Sequence, residues 1–298
     1  MDQDLAIRLA AFAWLSEKTG ALGDVLPRQA LVQGFLFEGV RVPLVSPQGI
    51  FKPRVMELPL SISTTPQGPY RDTFSSDGLL SYKYRGNDRE HGDNVGLRKV
   101  MEGQRPLAYF HGVVPGRYVA VWPVYVVADD PSSLTFRVAV DDLAAIQMEG
   151  MPLAVAELSG RRTYITGTVR IRLHQRMFRE RVLDAYRSQC SLCRLRHREL
   201  LEAAHIIPDT DAAGEPRITN GIALCQLHHG AFDAFILGVS PDYRVHLRQD
   251  VLDEIDGPVL LHGLQELHGA RLILPTAETN WPSRDALAWR FDQFTRAA

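Results

Sequence analysis

Three cysteines and one histidine have the types and the spacing of a metal site. They form the pairs Cys190-x2-Cys193 and Cys225-x2-His228, which contain every cysteine of the chain. Each pair can wrap one face of a tetrahedral ion, and zinc prefers such sulfur and nitrogen donors. An odd number of cysteines argues against a disulfide framework. The sequence therefore predicts a structural Zn²⁺ site. Two alternatives stay open: the cysteines are buried free thiols, or His228 serves an active site next to the clamp.

A second group of polar residues lies between and just after these pairs. His205 and Asn220 come first, and His229 and Asp233 follow at a spacing that shares one helical face. An imidazole titrates near neutral pH and can accept a proton from water. Alone, each signal is weak, because a single histidine is usually structural and an asparagine before glycine usually marks a turn. Their order inside the cysteine pairs gives them weight.

The segments that carry these residues alternate in type. LLEAAHII reads as a strand, PDTDAAGEP as a loop, and NGIALCQLHHGAFDAF as a short strand leading into a helix. This order resembles the ββα-metal fold of the HNH nuclease superfamily over roughly residues 186–240. The motif EAAHI…N…LCxxHHxxFD is most similar to its restriction-endonuclease-like subgroup.

The resemblance implies a role for each residue in phosphodiester hydrolysis. His205 would be the general base, and the amide of Asn220 would brace the loop that holds it. His229 would bind a divalent cation together with Asp233, whose oxygen suits Mg²⁺ or Mn²⁺.

One position departs from the family pattern. Many members have His or Asp just before the base, as a second metal ligand, where this chain has Ala204. Glu202 shares the strand face of Ala204 and not that of His205, so it does not simply replace the missing ligand. The departure bears on metal affinity more than on the reaction.

Arginine is concentrated ahead of the motif, between residues 161 and 198, where acids are scarce. Arginine makes forked contacts to phosphate, so this segment is predicted to contact the DNA backbone. The alternative is a solvated charged face. The residues assigned to backbone contact are Arg170, Arg172, Arg176 and Arg179.

The N-terminal half is the candidate reader of the target. Aromatic residues there are mixed with Arg and Asn, and flipped bases are held by stacking and edge hydrogen bonds. A β-rich domain ahead of an HNH module is similar in layout to modification-dependent restriction enzymes, whose readers have the PUA or SRA fold. Aromatics that alternate along strands are also ordinary core. The candidate base contacts are Tyr82, Tyr84, Arg85, Asn87, Asp93 and Asn94.

The expected architecture is α+β in two domains, a β-rich reader over residues 1–158 and a ββα-metal HNH nuclease with its zinc clamp over 159–298. Strands are predicted at 54–64, around LLSYKYRG, on both sides of a Val-Pro-Gly turn and at LTFRVAV. Helices are predicted at 4–18, at DNVGLRKVMEGQ and after Ser283, with the tail packed on the nuclease core.

The predicted function is a metal-dependent endonuclease acting on double-stranded, modified DNA. The alternatives are a nonspecific or structure-specific HNH nuclease and a non-catalytic, zinc-stapled DNA-binding protein. The net charge of −2 excludes a general polyanion binder. No apolar run is long enough for a membrane span and no basic signal sequence opens the chain, so residence in the cytoplasm is expected. One module makes one cut, which predicts a homodimer on DNA.

Overall fold

A computed structural model describes residues 2–66, 73–74, 79–140, 173–255 and 257–297. The chain divides into two compact units, residues 1–173 and 174–298. The functional boundary expected between 158 and 159 falls outside the described residues and stays a prediction. No helix in the described ranges is long and apolar enough to cross a bilayer.

The first helix of the N-terminal unit confirms the prediction made for residues 4–18. It buries a stripe at helical spacing that includes Ile7, Ala11 and Leu15. The Asp2 side chain caps its start by accepting a hydrogen bond from the backbone of Asp4 at 3.1 Å. The helices of this unit are α1 (Gln3–Leu22), α2 (Arg28–Gln33) and α3 (Gly92–Glu102).

An eight-stranded sheet forms the body of the N-terminal unit. Its order is β4-β5-β8-β9-β10-β7-β6, with β1 paired to β9, and β5 lies parallel to β8. A separate hairpin joins β2 and β3. The strands are β1 (Val25–Pro27), β2 (Phe35–Phe37), β3 (Val40–Val42), β4 (Ile50–Phe51), β5 (Ser61–Thr64), β6 (Thr73–Phe74), β7 (Leu80–Lys83), β8 (Leu107–Val114), β9 (Arg117–Asp130) and β10 (Thr135–Val140).

The strands predicted around the Val-Pro-Gly turn and at LTFRVAV are confirmed as β8, β9 and β10. The strand predicted over 54–64 is wrong for its first part, because only Ser61–Thr64 is extended and paired. Pro59 has no N–H to donate to a sheet, and residues before it form turns. The described residues establish a mixed α+β unit, and the PUA or SRA assignment stays a prediction.

The C-terminal unit places two short antiparallel strands against helices. In the central pair, Leu201 lies opposite Cys225 and His205 lies opposite Gly221. Helix α4 covers residues 173–185. The other elements are β11 (Leu201–His205), β12 (Gly221–Cys225), α5 (Gln226–Asp233), β13 (Leu237–Val239), β14 (Val245–Leu247), α6 (Gln249–Asp253), α7 (Pro258–Gly263) and α8 (Arg284–Ala297).

The tail packs on this unit, as predicted. Leu287 of α8 is fully buried in the core formed by α4, β11, β12 and α5. Ser283 precedes α8, and its hydroxyl accepts a hydrogen bond from the backbone of Ala286 at 3.4 Å. A β-carbon at Gly238 in β13 would lie 2.6 Å from the ring of Phe294, so the close packing of α8 requires glycine there.

Candidate metal centre and active site

The four residues of the predicted clamp converge. The donor atoms of Cys190, Cys193, Cys225 and His228 all lie within 4.8 Å of one another. His228 Nδ1 lies 3.4 Å from Cys190 Sγ and 3.2 Å from Cys225 Sγ, and Cys193 Sγ lies 3.9 Å from Cys225 Sγ. Three sulfurs and one imidazole nitrogen are a donor set that suits a tetrahedral ion. The cluster can therefore hold a metal.

The second ring nitrogen of His228 fixes the orientation of the first. His228 Nε2 lies 2.7 Å from the carbonyl oxygen of Gly263. A carbonyl only accepts, so Nε2 carries the proton and the lone pair of Nδ1 faces the sulfurs. Metal-bound histidines have this kind of second contact. His228 therefore belongs to the clamp, and not to the active site beside it.

The negative charge of the cluster lies on Cys225. The hydrogen bond that Cys190 donates lowers the pKa of Cys225, against an opposing effect of burial. The pKa of Cys190 is raised, because its thiol donates to Cys225 and because it is buried. A divalent cation can replace the thiol proton in this cluster and bind the sulfurs and the imidazole nitrogen together.

His205 ends β11 and stacks on an aromatic ring of α4. The ring centroids of His205 and Phe178 are 3.9 Å apart and their planes differ by 15°. Burial lowers the pKa of His205 below 6.5, and the charge of His229 acts in the same direction. The carboxylates of Asp209 and Asp233 oppose the shift. A half-buried imidazole with a lowered pKa is neutral at pH 7 and can accept a proton.

Asn220 binds the backbone of the loop that follows His205. Its Oδ1 accepts a hydrogen bond from the N–H of Ile207 at 2.9 Å, and its Nδ2 donates to the carbonyls of Ile207 and Glu215 at 3.0 and 3.1 Å. Its own carbonyl accepts from the N–H of Ile206 at 3.0 Å. The amide thus holds both ends of the loop and uses donors and acceptors together.

His229 lies between two carboxylates. Its Nδ1 contacts Glu202 of β11, and its Nε2 lies 3.2 Å from Oδ2 of Asp233. Since a carboxylate only accepts, Nδ1 donates toward Glu202, and Nε2 faces Oδ2 of Asp233 across a gap that a proton or a metal cation can occupy. A cation between them satisfies both, with the Glu202 contact orienting the ring. These two donors, completed by water and phosphate oxygens, suit Mg²⁺ or Mn²⁺.

The sequence reasoning did not find Glu202 as a partner of His229. The strand pattern placed Glu202 on the face opposite His205, but did not show that α5 packs over that face. Arg290 was also missed. It lies in α8, and its guanidinium reaches Asp233 at 3.3 Å. Its only signal was an arginine in an apolar helical pattern.

The predicted DNA-backbone arginines differ in their surroundings. Arg170 and Arg172 lie outside the described residues. Arg176 is half-buried, and burial lowers its pKa. Arg179 donates to Glu180 and to the carbonyls of Arg198 and Leu201 at 2.9, 3.1 and 2.7 Å. Arg179 therefore ties α4 to the start of β11, and its contact with DNA stays a prediction.

A cavity of about 320 Å³ lies in the N-terminal unit. Three tyrosines and three cations are among its lining residues, and no acidic residue lines it within the described part of the chain. They include three of the predicted base contacts, Tyr82, Tyr84 and Arg85, of which Tyr84 is buried. The remaining aromatic and charged members are Arg28, Lys83 and Tyr118.

The other predicted base contacts surround the loop that follows β7. Asn94 is fully buried and bonds the backbone of Arg85 and Asp88, so it braces this loop from inside. Asp93 pairs with the guanidinium of Arg85. Asn87 is exposed on the loop. Tyr84 donates its hydroxyl to Asp129, which fixes it in the core.

A known family matches part of the C-terminal unit. Residues 190–240 match a family described as HNH endonuclease. Among solved structures, a modification-dependent TagI restriction endonuclease aligns with 79% of this chain and 81% of its own, at 15% identity and a TM-score of 0.29. No curated protein matches the chain.

Proposed function

Residues 190–240 are taken as an HNH endonuclease module, and we propose on this premise that the protein is a metal-dependent DNA endonuclease of the restriction type. The supporting observation is the approach of His229 Nε2 to Asp233 Oδ2 at 3.2 Å, since this nitrogen and this oxygen can share one cation and both residues act on the pKa of His205. Phosphodiester hydrolysis needs an activated water, a cation on the phosphate and a stabilised leaving oxygen.

Each residue then has one task. The neutral imidazole of His205 takes a proton from the attacking water, while Asn220 holds the loop beyond it in place. Glu202 orients His229, and His229 and Asp233 present one nitrogen and one oxygen to the cation. A bound Mg²⁺ or Mn²⁺ supplies charge stabilisation at the phosphate. The Cys₃His cluster holds Zn²⁺ and fastens the start of α5 to the segment before β11.

A plasmid-nicking assay with Mg²⁺ or Mn²⁺ tests the enzyme. We expect wild type to cut and His205→Ala to lose roughly 10²- to 10⁴-fold in rate, the usual contribution of a general base. DNA binding by the variant should be unchanged. If the wild-type protein binds DNA but never cuts it, the protein is instead a non-catalytic, zinc-stapled DNA-binding protein. Ala204, at a usual metal-ligand position, is the residue that leaves this alternative open.

The proposed substrate is modified double-stranded DNA, read by the N-terminal unit. The supporting feature is the cavity with tyrosines in its wall and cations at its lining, since base recognition uses aromatic contacts and phosphate contacts together. Gel-shift titration of the full-length His205→Ala protein with plain, methylated and hydroxymethylated duplexes tests this. Equal weak binding to all three duplexes would contradict the proposal that the N-terminal unit recognises modified DNA.

Two arginines of the same loop offer a matched comparison. Arg85 lines the cavity, whereas Arg89 is exposed outside it. In the His205→Ala background, Arg85→Met should reduce binding to the modified duplex more than to the plain one, and Arg89→Met should leave the ratio unchanged. Discrete fragments on digestion would further separate this function from a nonspecific nuclease, which leaves a smear.

A further inference from the structure

Arg290 is a buried cation in α8, outside the matched segment 190–240. The residue is 6% exposed. Its guanidinium lies 4.0 Å from the ring centroid of Phe232 and 5.0 Å from that of Phe235. Burying an arginine is costly unless its hydrogen bonds are satisfied. Its partners therefore indicate what it holds together.

The guanidinium bridges the two elements that carry the active site. Nη1 donates to the carbonyl of Ile206 at 3.3 Å, immediately after His205. Nη2 donates to the carbonyl of Phe232 at 2.9 Å and to Oδ1 of Asp233 at 3.3 Å. One side chain thus joins the end of β11 to the end of α5.

The two carboxylate oxygens of Asp233 have different partners. Oδ1 is held by Arg290, while Oδ2 lies 3.2 Å from Nε2 of His229. The Asp233 side chain is 58% exposed, so without this contact it has several rotamers available. The arginine removes that freedom and directs one oxygen toward the imidazole.

Helix α8 is itself fixed near the active site. Ser283, which precedes it, donates its backbone N–H to the carbonyl of Thr219 at 2.8 Å, one residue before Asn220. At its other end, Phe294 packs against Gly238. The helix therefore presents Arg290 from a rigid support.

We infer that Arg290 is a positioning residue for the catalytic cation: it fixes the Asp233 carboxylate beside His229 and holds the strand end of His205 at a set distance from α5. This rests on the proposed function, in which Asp233 and His229 bind the cation. A lysine keeps the charge but not the planar fork that reaches three oxygens at once.

Calorimetric titration of zinc-loaded, DNA-free full chain with Mn²⁺ tests the inference without reference to activity. Arg290→Met should raise the Mn²⁺ Kd by roughly 10- to 100-fold, the usual cost of losing a group that orients a metal ligand. Arg290→Lys should raise the Mn²⁺ Kd by a smaller factor, and it replaces Arg290→Met in the test if the methionine variant does not fold. Arg296→Met is the matched control, because Arg296 is an exposed arginine of the same helix.

A double-mutant cycle with Asp233→Asn separates positioning from a general effect on folding. If Arg290 acts through Asp233, Arg290→Met adds no further weakening in the Asp233→Asn background. The inference is overturned, and the proposed function is not, if Arg290→Met weakens Mn²⁺ binding equally with Asp233 and with Asn at this position. It is also overturned if Arg290→Met does not weaken Mn²⁺ binding in the protein that keeps Asp233. Unchanged Mn²⁺ binding in Asp233→Asn itself removes the proposed cation site and this inference with it.

Discussion

At the scale of single residues, the environment of His205 sets its protonation state. The Phe178 ring excludes water from one face of the imidazole, and burial lowers its pKa. Asp209 and Asp233 raise the pKa and His229 lowers it, so the groups around the ring partly cancel. The remaining effect favours the neutral form, which a base requires.

The pH dependence of cleavage should follow from this lowered pKa. A protonated imidazole cannot accept a proton, so the rate should fall as the pH drops through an inflection below 6.5 and should be level above it. Single-turnover rates at saturating Mn²⁺ would measure the inflection. Phe178→Leu should move it upward by admitting water. Phe12→Leu, which changes a buried phenylalanine of the N-terminal unit, should not move it. A wild-type inflection above 6.5 would contradict the argument.

Sequence reasoning predicted the residues whose identity is set by chemistry, but not those whose role depends on packing. His205, Asn220 and His229 could be named because their types and order match a known motif. The partners Glu202 and Arg290 could not, because their contacts depend on how α5 and α8 pack over β11. Arg290 lies far along the chain from Asp233, and no local spacing connects them.

At the scale of elements, Gly221 permits the close approach of β12 to α4. A β-carbon there would lie 2.5 Å from Cγ2 of Val182 and 2.8 Å from Cζ of Phe178. Phe178 is also the ring against which His205 stacks. The glycine therefore allows the helix to sit where it shields the base.

Gly221→Ala should destabilise the protein by about 1–3 kcal/mol, the usual cost of overpacking a core. It should also reduce the cleavage rate, because Phe178 must move. Gly230→Ala is the control, since a β-carbon there meets nothing within 4 Å, and in a helix it should stabilise by up to about 1 kcal/mol. Urea unfolding would measure both, and equal stability of the two variants would refute the packing argument.

The Cys₃His cluster connects three separate parts of the C-terminal unit. Cys190 and Cys193 follow α4, Cys225 ends β12, and His228 lies in α5. Metal binding at such a site contributes folding free energy directly, because the site does not exist in the unfolded chain.

Cys193→Ser should therefore lose bound zinc and lower the unfolding temperature of the C-terminal unit, while the N-terminal unit keeps its own. Differential scanning calorimetry with metal analysis would follow both. His197→Ala removes a nearby histidine outside the cluster and should retain zinc. Full zinc content and unchanged unfolding in Cys193→Ser would refute the assignment.

The strands show where local pattern stops being informative. β-Branched and aromatic residues on both sides of a Val-Pro-Gly turn sufficed to predict β8 and β9, although most residues of these strands are buried and do not alternate with exposed ones. The pairing of β5 with β8 and of β7 with β10 joins segments far apart in the chain. The pairing of such strands depends on the packing of the whole unit. It therefore cannot be predicted from the pattern of residues within one short segment.

At the scale of the whole molecule, one catalytic group cuts one strand at a time. The described residues contain one ββα arrangement, with His205 on its strand and His229 on its helix. A double-strand break therefore requires either two copies of the chain or two successive cuts by one copy. We favour two copies, which predicts a homodimer on DNA.

A mixing experiment distinguishes these possibilities. Wild type is mixed with an excess of His205→Ala, which should pair with it but cannot cut. If two copies act together, most active complexes then contain one working site, so nicked plasmid should accumulate at the expense of linear plasmid. An equal excess of Arg296→Met, altered on an exposed part of α8, should not change the ratio of products. If each chain cuts both strands alone, the inactive protein only slows cleavage by competing for sites. The product ratio would then be the same as for wild type, and the dimer would be ruled out.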